Sequence, residues 1–144
     1  MLTQTRTLSP EQLQAFHNDG YLIVRALLAP EETKLLLDTF MAMHASGPIP
    51  NCFSPESLEA ADGDMLKLYP RMMHPHRVNA VARRYLLDDR LERILSVLFG
   101  EEPLATQSML YFKPPGARGQ ALHQDNFYLK VEPGTCIAAW IALD

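Results

Sequence analysis

The sequence predicts an α+β fold, in which helices come first along the chain and strands come later. Three observations support this prediction. Residues 1–103 contain helix-capping signals and apolar residues at helical spacing, whereas residues 104–144 have the composition of strands. The final run, residues 137–144, is as apolar as a strand that is covered on both faces. We therefore expect a single domain, 1–144, with a mainly helical part at 1–103 and the first strands of a sheet at 104–144.

The first predicted helix follows Ser9 and ends at Gly20. Ser9 and Gln12 form an S-x-x-Q capping box, and Pro10 suits the first helical position. Glycine commonly ends a helix because it adopts the left-handed conformation without strain. Residues 21–24 are then predicted to form a short strand.

A second helix is predicted to start at Pro30, with Glu31 and Glu32 at its positive end. Further along it, Leu36, Phe40 and Met43 recur at spacings of four and three. This spacing predicts one buried face.

The middle of the chain combines irregular and helical patterns. Residues 46–64 are rich in Gly, Pro, Ser and Asp and predict a long loop. Apolar and polar residues alternate around Lys67, which predicts a short edge strand at 65–69. Residues 79–87 and 89–99 have helical patterns.

The last third of the chain has the character of strands. Residues 104–113 predict a strand, 113–120 a Pro/Gly loop and 121–130 an extended segment. A turn at 132–134 precedes the apolar run 135–143. Because an apolar strand is normally paired on both edges, we expect this chain to be the front part of a longer protein.

Composition excludes several classes of protein. The 144 residues are 47% apolar and 21% charged, with a net charge of -4. A mildly acidic chain argues against a nucleic-acid binder and a binder of anionic membranes. The spacing of Cys52 and Cys136 is typical of no metal site. We therefore expect both cysteines to be reduced and to serve in packing. The N-terminal residues lack the apolar core of a signal peptide, so we expect a cytoplasmic protein.

One short motif suggests metal chemistry. His123 and Asp125 flank Gln124, and on a strand the two outer side chains would project to the same side. An imidazole and a carboxylate are two of the three ligands of a 2-His-1-carboxylate triad, which binds Fe(II) and leaves positions open for co-substrate and O2. The alternative interpretation is a solvated His/Asp pair on a loop.

Four stretches around this motif resemble the phytanoyl-CoA dioxygenase family of Fe(II)/2-oxoglutarate oxygenases. They are SPEQLQAFHNDGYLIV at 9–24, QSMLYFKPPG at 107–116, LHQDNFY at 122–128 and TCIAAWIAL at 135–143. The resemblance implies a double-stranded β-helix (a jelly-roll, cupin-like fold), of which this chain holds the N-terminal helices and first strands. The sheet is then incomplete within these residues.

The resemblance also implies residue roles. His123 and Asp125 match the first two iron ligands, and Gln124 lies in the stretch that lines the co-substrate. Trp140 matches an aromatic residue against which 2-oxoglutarate packs, and Met109 lies on the strand that walls the same pocket.

The resemblance and the geometry of an ideal strand add three further candidates. Lys67 resembles a lysine that reaches a co-substrate carboxylate, and Tyr111 and Gln107 share the face of Met109 on an ideal strand. The family's second histidine ligand and its carboxylate-binding arginine have no counterpart here, because no His or Arg follows Asp125. We expect these 144 residues alone to bind iron weakly and to be inactive.

The activity implied for the intact protein is hydroxylation of a small organic substrate by O2, with Fe(II) as cofactor and 2-oxoglutarate as co-substrate. The family does not fix the substrate, and the sequence leaves the oligomeric state open. Two other classes of function stay open: a non-catalytic binding or dimerisation module on the same scaffold, and a cupin-type ligand binder without redox chemistry. His74 and His76 could also form a separate metal clip, although paired loop histidines are common.

Overall fold

The computed structural model describes residues 8–115, 117 and 120–143. Residues 1–7, 116, 118, 119 and 144 lie outside this description. The N-terminal segment, Gly116 of the K-P-P-G stretch and the last residue of the apolar run therefore fall outside the described residues.

The two predicted N-terminal helices are present. Helix α1 spans Pro10–Asp19, where Ser9 Oγ accepts a hydrogen bond from the Gln12 amide and Gln12 Oε1 accepts one from the Ser9 amide. Gly20 ends this helix at φ +77°. Helix α2 spans Pro30–Ala45 and buries the predicted face of Leu36, Phe40 and Met43.

Four further helices and a 3₁₀ turn complete the helical part. Helix α3 is Leu58–Ala61 and helix α4 is Met65–Leu68. The 3₁₀ turn Pro75–Arg77 precedes α5, Ala80–Leu86, and α6, Asp89–Phe99. Asn79 caps α5 and Asp88 caps α6 through side-chain oxygens, which explains where the two predicted helices begin.

A two-stranded antiparallel sheet joins the helical part to the later chain. Strand β1, Met72–Met73, pairs with strand β2, Met109–Leu110, in the register Met72 opposite Leu110. Helix α7, Asp125–Leu129, follows β2. The described chain is thus α+β, as predicted. None of its helices combines the length and apolar character that crossing a bilayer requires.

The core lies between α2, α5 and the β1 strand. Its buried members are Leu28, Leu36, Phe40, Met43, Cys52, Phe53, Met72, Ala82 and Tyr85. Ile141 and Leu143 from the C-terminal run pack against this cluster. Both cysteines are free, as predicted, and Cys52 is buried.

An aromatic cluster beside the core centres on His44 of α2. Its ring stacks on Tyr69 at 4.5 Å and meets Phe112 edge to face at 5.4 Å. Its Nε2 donates to the Leu68 carbonyl at 3.2 Å, since a carbonyl can only accept. These contacts fix the chain after α4 against α2.

Two of the predicted strands are wrong. One forms a capped helical turn, and the other has no neighbouring strand among the described residues. Residues 65–68 of the predicted 65–69 strand form α4 instead, since the Asp64 carboxylate accepts from the Leu66 amide and caps a helical turn. Residues 21–24 are not a strand in the structure. Both Tyr21 and Ile23 are 63% exposed, and no strand among the described residues pairs with the segment.

The later segments also differ from prediction. Residues 125–129 of the predicted extended segment form α7, with Asp125 at the favourable first turn. Pairing in 104–113 is limited to Met109 and Leu110, and residues 135–143 contain no assigned strand. An apolar run becomes a strand only where a neighbouring edge accepts its hydrogen bonds. The predicted 46–64 loop contains α3 and a bridge between Ile49 and Phe53.

Candidate metal centre

The side chains of His123 and Asp125 meet at the start of α7. His123 Nε2 lies 3.3 Å from Asp125 Oδ1, and the two side chains are 31% and 45% exposed. The Tyr128 ring stands edge to face against the imidazole at 5.6 Å. The two groups therefore converge at a site that a small ion can reach.

A backbone carbonyl orients the imidazole. His123 Nδ1 lies 2.7 Å from the Ala121 carbonyl oxygen, so Nδ1 carries the proton and donates. In the neutral ring, the lone pair on Nε2 then faces the Asp125 carboxylate. Two lone pairs at this distance repel unless a proton or a cation lies between them.

This donor set fits a divalent transition metal. A neutral imidazole Nε2 and a carboxylate oxygen are ligands of non-haem Fe(II), and a carbonyl acceptor on the other ring nitrogen is the usual supporting contact. Within the described residues, no cluster of three or more His, Cys, Asp or Glu side chains could hold a metal ion. His123 and Asp125 are therefore two candidate ligands among the described residues.

The convergence does not arise from the strand geometry that the sequence suggested. Asp125 is the first residue of α7, and Gln124 is the residue before the helix. Gln124, expected to line the co-substrate, makes no side-chain capping hydrogen bond. The chain turns into the helix between His123 and Asp125 and still brings their side chains together.

A second group of side chains surrounds Trp140. Tyr111 stacks on the Trp140 indole with ring centroids 5.4 Å apart and 18° between planes. The Tyr111 hydroxyl donates to Met109 Sδ at 3.4 Å and accepts from Gln120 Nε2 at 3.4 Å. The Lys113 ammonium lies 5.9 Å from the centre of the Tyr111 ring. Tyr111 therefore links the two residues, Met109 and Trp140, that were expected to wall one pocket.

Lys67 has a different environment from the one expected. It lies in α4, and its ammonium group is 3.7 Å from Glu56 Oε2. Among the contacts that the described residues make, none joins Lys67 to His123, Met109 or Trp140. Its role at a co-substrate carboxylate stays a prediction.

Two contacts at the site were beyond prediction. The Ala121 carbonyl orients His123, but a backbone acceptor leaves no trace in residue type. Tyr128 belongs to an aromatic stretch that the sequence does show, although nothing in the pattern indicates that its ring meets the imidazole. The weaker candidate Tyr111 proves to be the centre of the aromatic group.

Comparison with known proteins gives one consistent result. The family model described as phytanoyl-CoA dioxygenase (PhyH) matches residues 16–144. A phytanoyl-CoA dioxygenase of Arabidopsis thaliana is 28% identical over 171 residues, covering 97% of this chain and 60% of the relative. Phytanoyl-CoA dioxygenase 1 of Oryza sativa subsp. japonica is 28% identical over 169 residues, covering 96% and 60%.

A third relative, phytanoyl-CoA dioxygenase domain-containing protein 1 of Danio rerio, is 25% identical over 175 residues, covering 95% and 60%. The chain thus spans about 60% of the length of each of these curated relatives. No solved structure matches it significantly.

Proposed function

The chain belongs to the phytanoyl-CoA dioxygenase (PhyH) family, and on this premise we propose that it is part of a non-haem Fe(II)/2-oxoglutarate-dependent dioxygenase that hydroxylates a small organic substrate. The observation that carries the proposal is the approach of His123 Nε2 to Asp125 Oδ1 at 3.3 Å. A metal between these atoms would remove the repulsion between their lone pairs.

Each residue near the site has a defined task under this proposal. His123 and Asp125 would hold Fe(II), and the Ala121 carbonyl keeps the Nδ1 proton in place so that Nε2 faces the metal. Trp140, stacked on Tyr111, would offer a flat apolar wall to 2-oxoglutarate. When bound, Fe(II) with 2-oxoglutarate and O2 supplies the oxidation that hydroxylates the substrate and releases succinate and CO2.

The proposal extends to architecture and location. The antiparallel β1–β2 pair beside the helices is compatible with the beginning of a double-stranded β-helix. In the whole protein, the strand-like run 135–143 would gain the neighbouring edges that it needs. We propose a cytoplasmic location, on the N-terminal composition alone.

Metal binding is the direct test because these residues supply two protein ligands. Co(II), whose visible absorption reports its ligands, is titrated into the chain with and without 2-oxoglutarate. We expect binding that 2-oxoglutarate strengthens, since it adds donor oxygens. His123→Ala and Asp125→Ala should each weaken binding by at least about tenfold, the cost of losing even a supporting partner.

The matched control is His17→Ala, which removes an exposed histidine from α1 and should bind Co(II) like the wild type. If either ligand variant binds as tightly as the wild type, the metal assignment is wrong. In the whole protein, the same two substitutions should abolish formation of succinate from 2-oxoglutarate.

A non-catalytic dimerisation module is the second candidate. Exposed apolar side chains on the C-terminal part favour it: Leu104 is 86% exposed and Phe127 is 75% exposed. Size-exclusion chromatography with light scattering separates the two functions. A discrete dimer that binds no Co(II) would support the module and contradict the oxygenase proposal.

A further inference from the structure

The charges of this acidic chain are unevenly distributed. The net charge is -4, yet residues 65–87 contain five Lys and Arg residues and no Asp or Glu. Lys67 reaches Glu56, which lies outside that stretch. Arg77 and Arg83 are exposed, and within the described residues neither has a carboxylate in ion-pair distance. Residues 65–87 are therefore a cationic stretch that contains no carboxylate of its own.

Two backbone and side-chain contacts hold the 3₁₀ turn of this stretch against Ser108. The 3₁₀ turn Pro75–Arg77 packs against α5, which carries Arg83, and its Pro75 is buried. His76 Nδ1 lies 2.6 Å from Ser108 Oγ. The His74 amide donates to the Ser108 carbonyl at 2.8 Å. Two hydrogen bonds therefore hold the turn against Ser108, the residue before β2.

Burial and nearby positive charges both act on the pKa of His76. Partial burial lowers the pKa of His76, and the positive charges of His74, Arg77 and Arg83 lower it further. The rings of His74 and His76 are 5.7 Å apart, and His74 Nδ1 is buried without a hydrogen-bond partner among the described residues. Cationic groups placed together in this way repel one another unless an anion lies among them.

We propose that His76, Arg77 and Arg83, together with the Ser108 hydroxyl, form a binding site for a phosphate-type dianion. Arginine donates paired N–H groups to phosphate oxygens in a fixed geometry, and a tetrahedral dianion can accept from both guanidinium groups and from His76. Two guanidinium groups, one imidazole and one hydroxyl supply enough donors for a single phosphoryl group and too few for a long polyanion. The site is independent of His123 and Asp125 and of the oxygenase proposal.

The test follows the histidine ring signals of the chain by NMR while inorganic phosphate is added against NaCl of equal ionic strength. We expect a saturable shift of the His76 signal and a rise in the pKa of His76, because a bound anion favours its charged form. The exposed His17 ring serves as the internal control and should not show a saturable shift.

Matched variants separate a site from a general charge effect. Arg77→Gln and Arg83→Gln should each weaken phosphate binding by about tenfold, the cost of a charge-assisted hydrogen bond. Arg84→Gln removes the same charge from the neighbouring position on α5, where Arg84 lies over the Tyr85 ring, and should change binding by less than about twofold.

Glycerol phosphate in a parallel titration identifies the source of the phosphoryl group. Preference for glycerol phosphate indicates a phosphate monoester, and preference for inorganic phosphate indicates the free ion. A shift that grows linearly without saturation, or an equal loss of binding in Arg84→Gln and Arg83→Gln, would overturn the proposal.

Discussion

The junction between α2 and α6 depends on one arginine that uses every donor it has. Arg90 donates to both carboxylate oxygens of Glu32 at 2.7 and 2.8 Å and to both of Asp88 at 2.7 and 2.8 Å. Its fifth N–H donates to the Leu27 carbonyl at 3.1 Å. Tyr85 adds a hydrogen bond to Glu32 at 3.3 Å. We predict that Glu32→Gln loosens this junction and destabilises the chain.

The magnitude follows from the proton affinity of Glu32. The hydrogen bonds from Arg90, and then from the Ala29 amide, lower the pKa of Glu32 from 4.5 to about 2. A tenfold change in proton affinity is worth about 1.4 kcal/mol, so the upper bound is about 3 kcal/mol. Because the pair is partly exposed and water screens it, we expect a loss of about 1–2 kcal/mol in the free energy of unfolding.

The pH dependence has a defined sign. A carboxylate whose pKa is lowered by folding stabilises the folded state above its ordinary pKa, and this contribution is lost as the pH falls toward the lowered value. The Arg90 hydrogen bonds also lower the pKa of Asp88. The difference in stability between the wild type and Glu32→Gln should therefore be full above pH 4.5 and shrink as the pH falls to about 2.

Urea denaturation followed by circular dichroism across this pH range measures the effect. Asp38→Asn is the control, because its ion pair with Lys34 on the same helix is exposed and should be worth less than about 0.5 kcal/mol. If Glu32→Gln unfolds like the wild type at neutral pH, or if their difference in stability does not depend on pH, the reasoning is refuted.

Two further predictions concern the core and the aromatic wall. Met72→Ala should cost about 2–4 kcal/mol in urea denaturation because Met72 is fully buried, whereas Met41→Ala, at an exposed position, should cost less than about 0.5 kcal/mol; equal losses would contradict the assigned core. Tyr111→Leu should shift the fluorescence emission of Trp140, the one tryptophan in the sequence, to longer wavelength by uncovering its stacked face, and Tyr21→Leu should leave it unchanged. An unshifted spectrum in Tyr111→Leu would exclude the stacking.

Local signals in the sequence were sufficient for the best-predicted elements. The capping box of α1 and the buried face of α2 involve residues three or four positions apart, so their geometry is set within one or two helical turns. The same holds for the metal candidate. His123 and Asp125 are two positions apart, and their side chains meet although the backbone between them is not the strand that was expected.

The sequence did not predict contacts between residues that lie far apart along the chain. Arg90 reaches Glu32 from 58 residues away, and Tyr69 stacks on a histidine of α2. Neither contact has a sequence pattern, because many charged and aromatic residues could have formed similar pairs. Only the packing of α2 against the later chain selects these partners.

The strands show most clearly the difference between what the sequence determines and what tertiary contacts decide. The sequence by itself determined the helical first part, the α+β order and the pairing of an imidazole with a carboxylate at 123 and 125. The tertiary structure decided which extended segments become strands, and it chose Met72–Met73 and Met109–Leu110 over residues 21–24 and 135–143. A helix satisfies its backbone hydrogen bonds within itself, whereas a strand satisfies them only when a distant segment lies beside it.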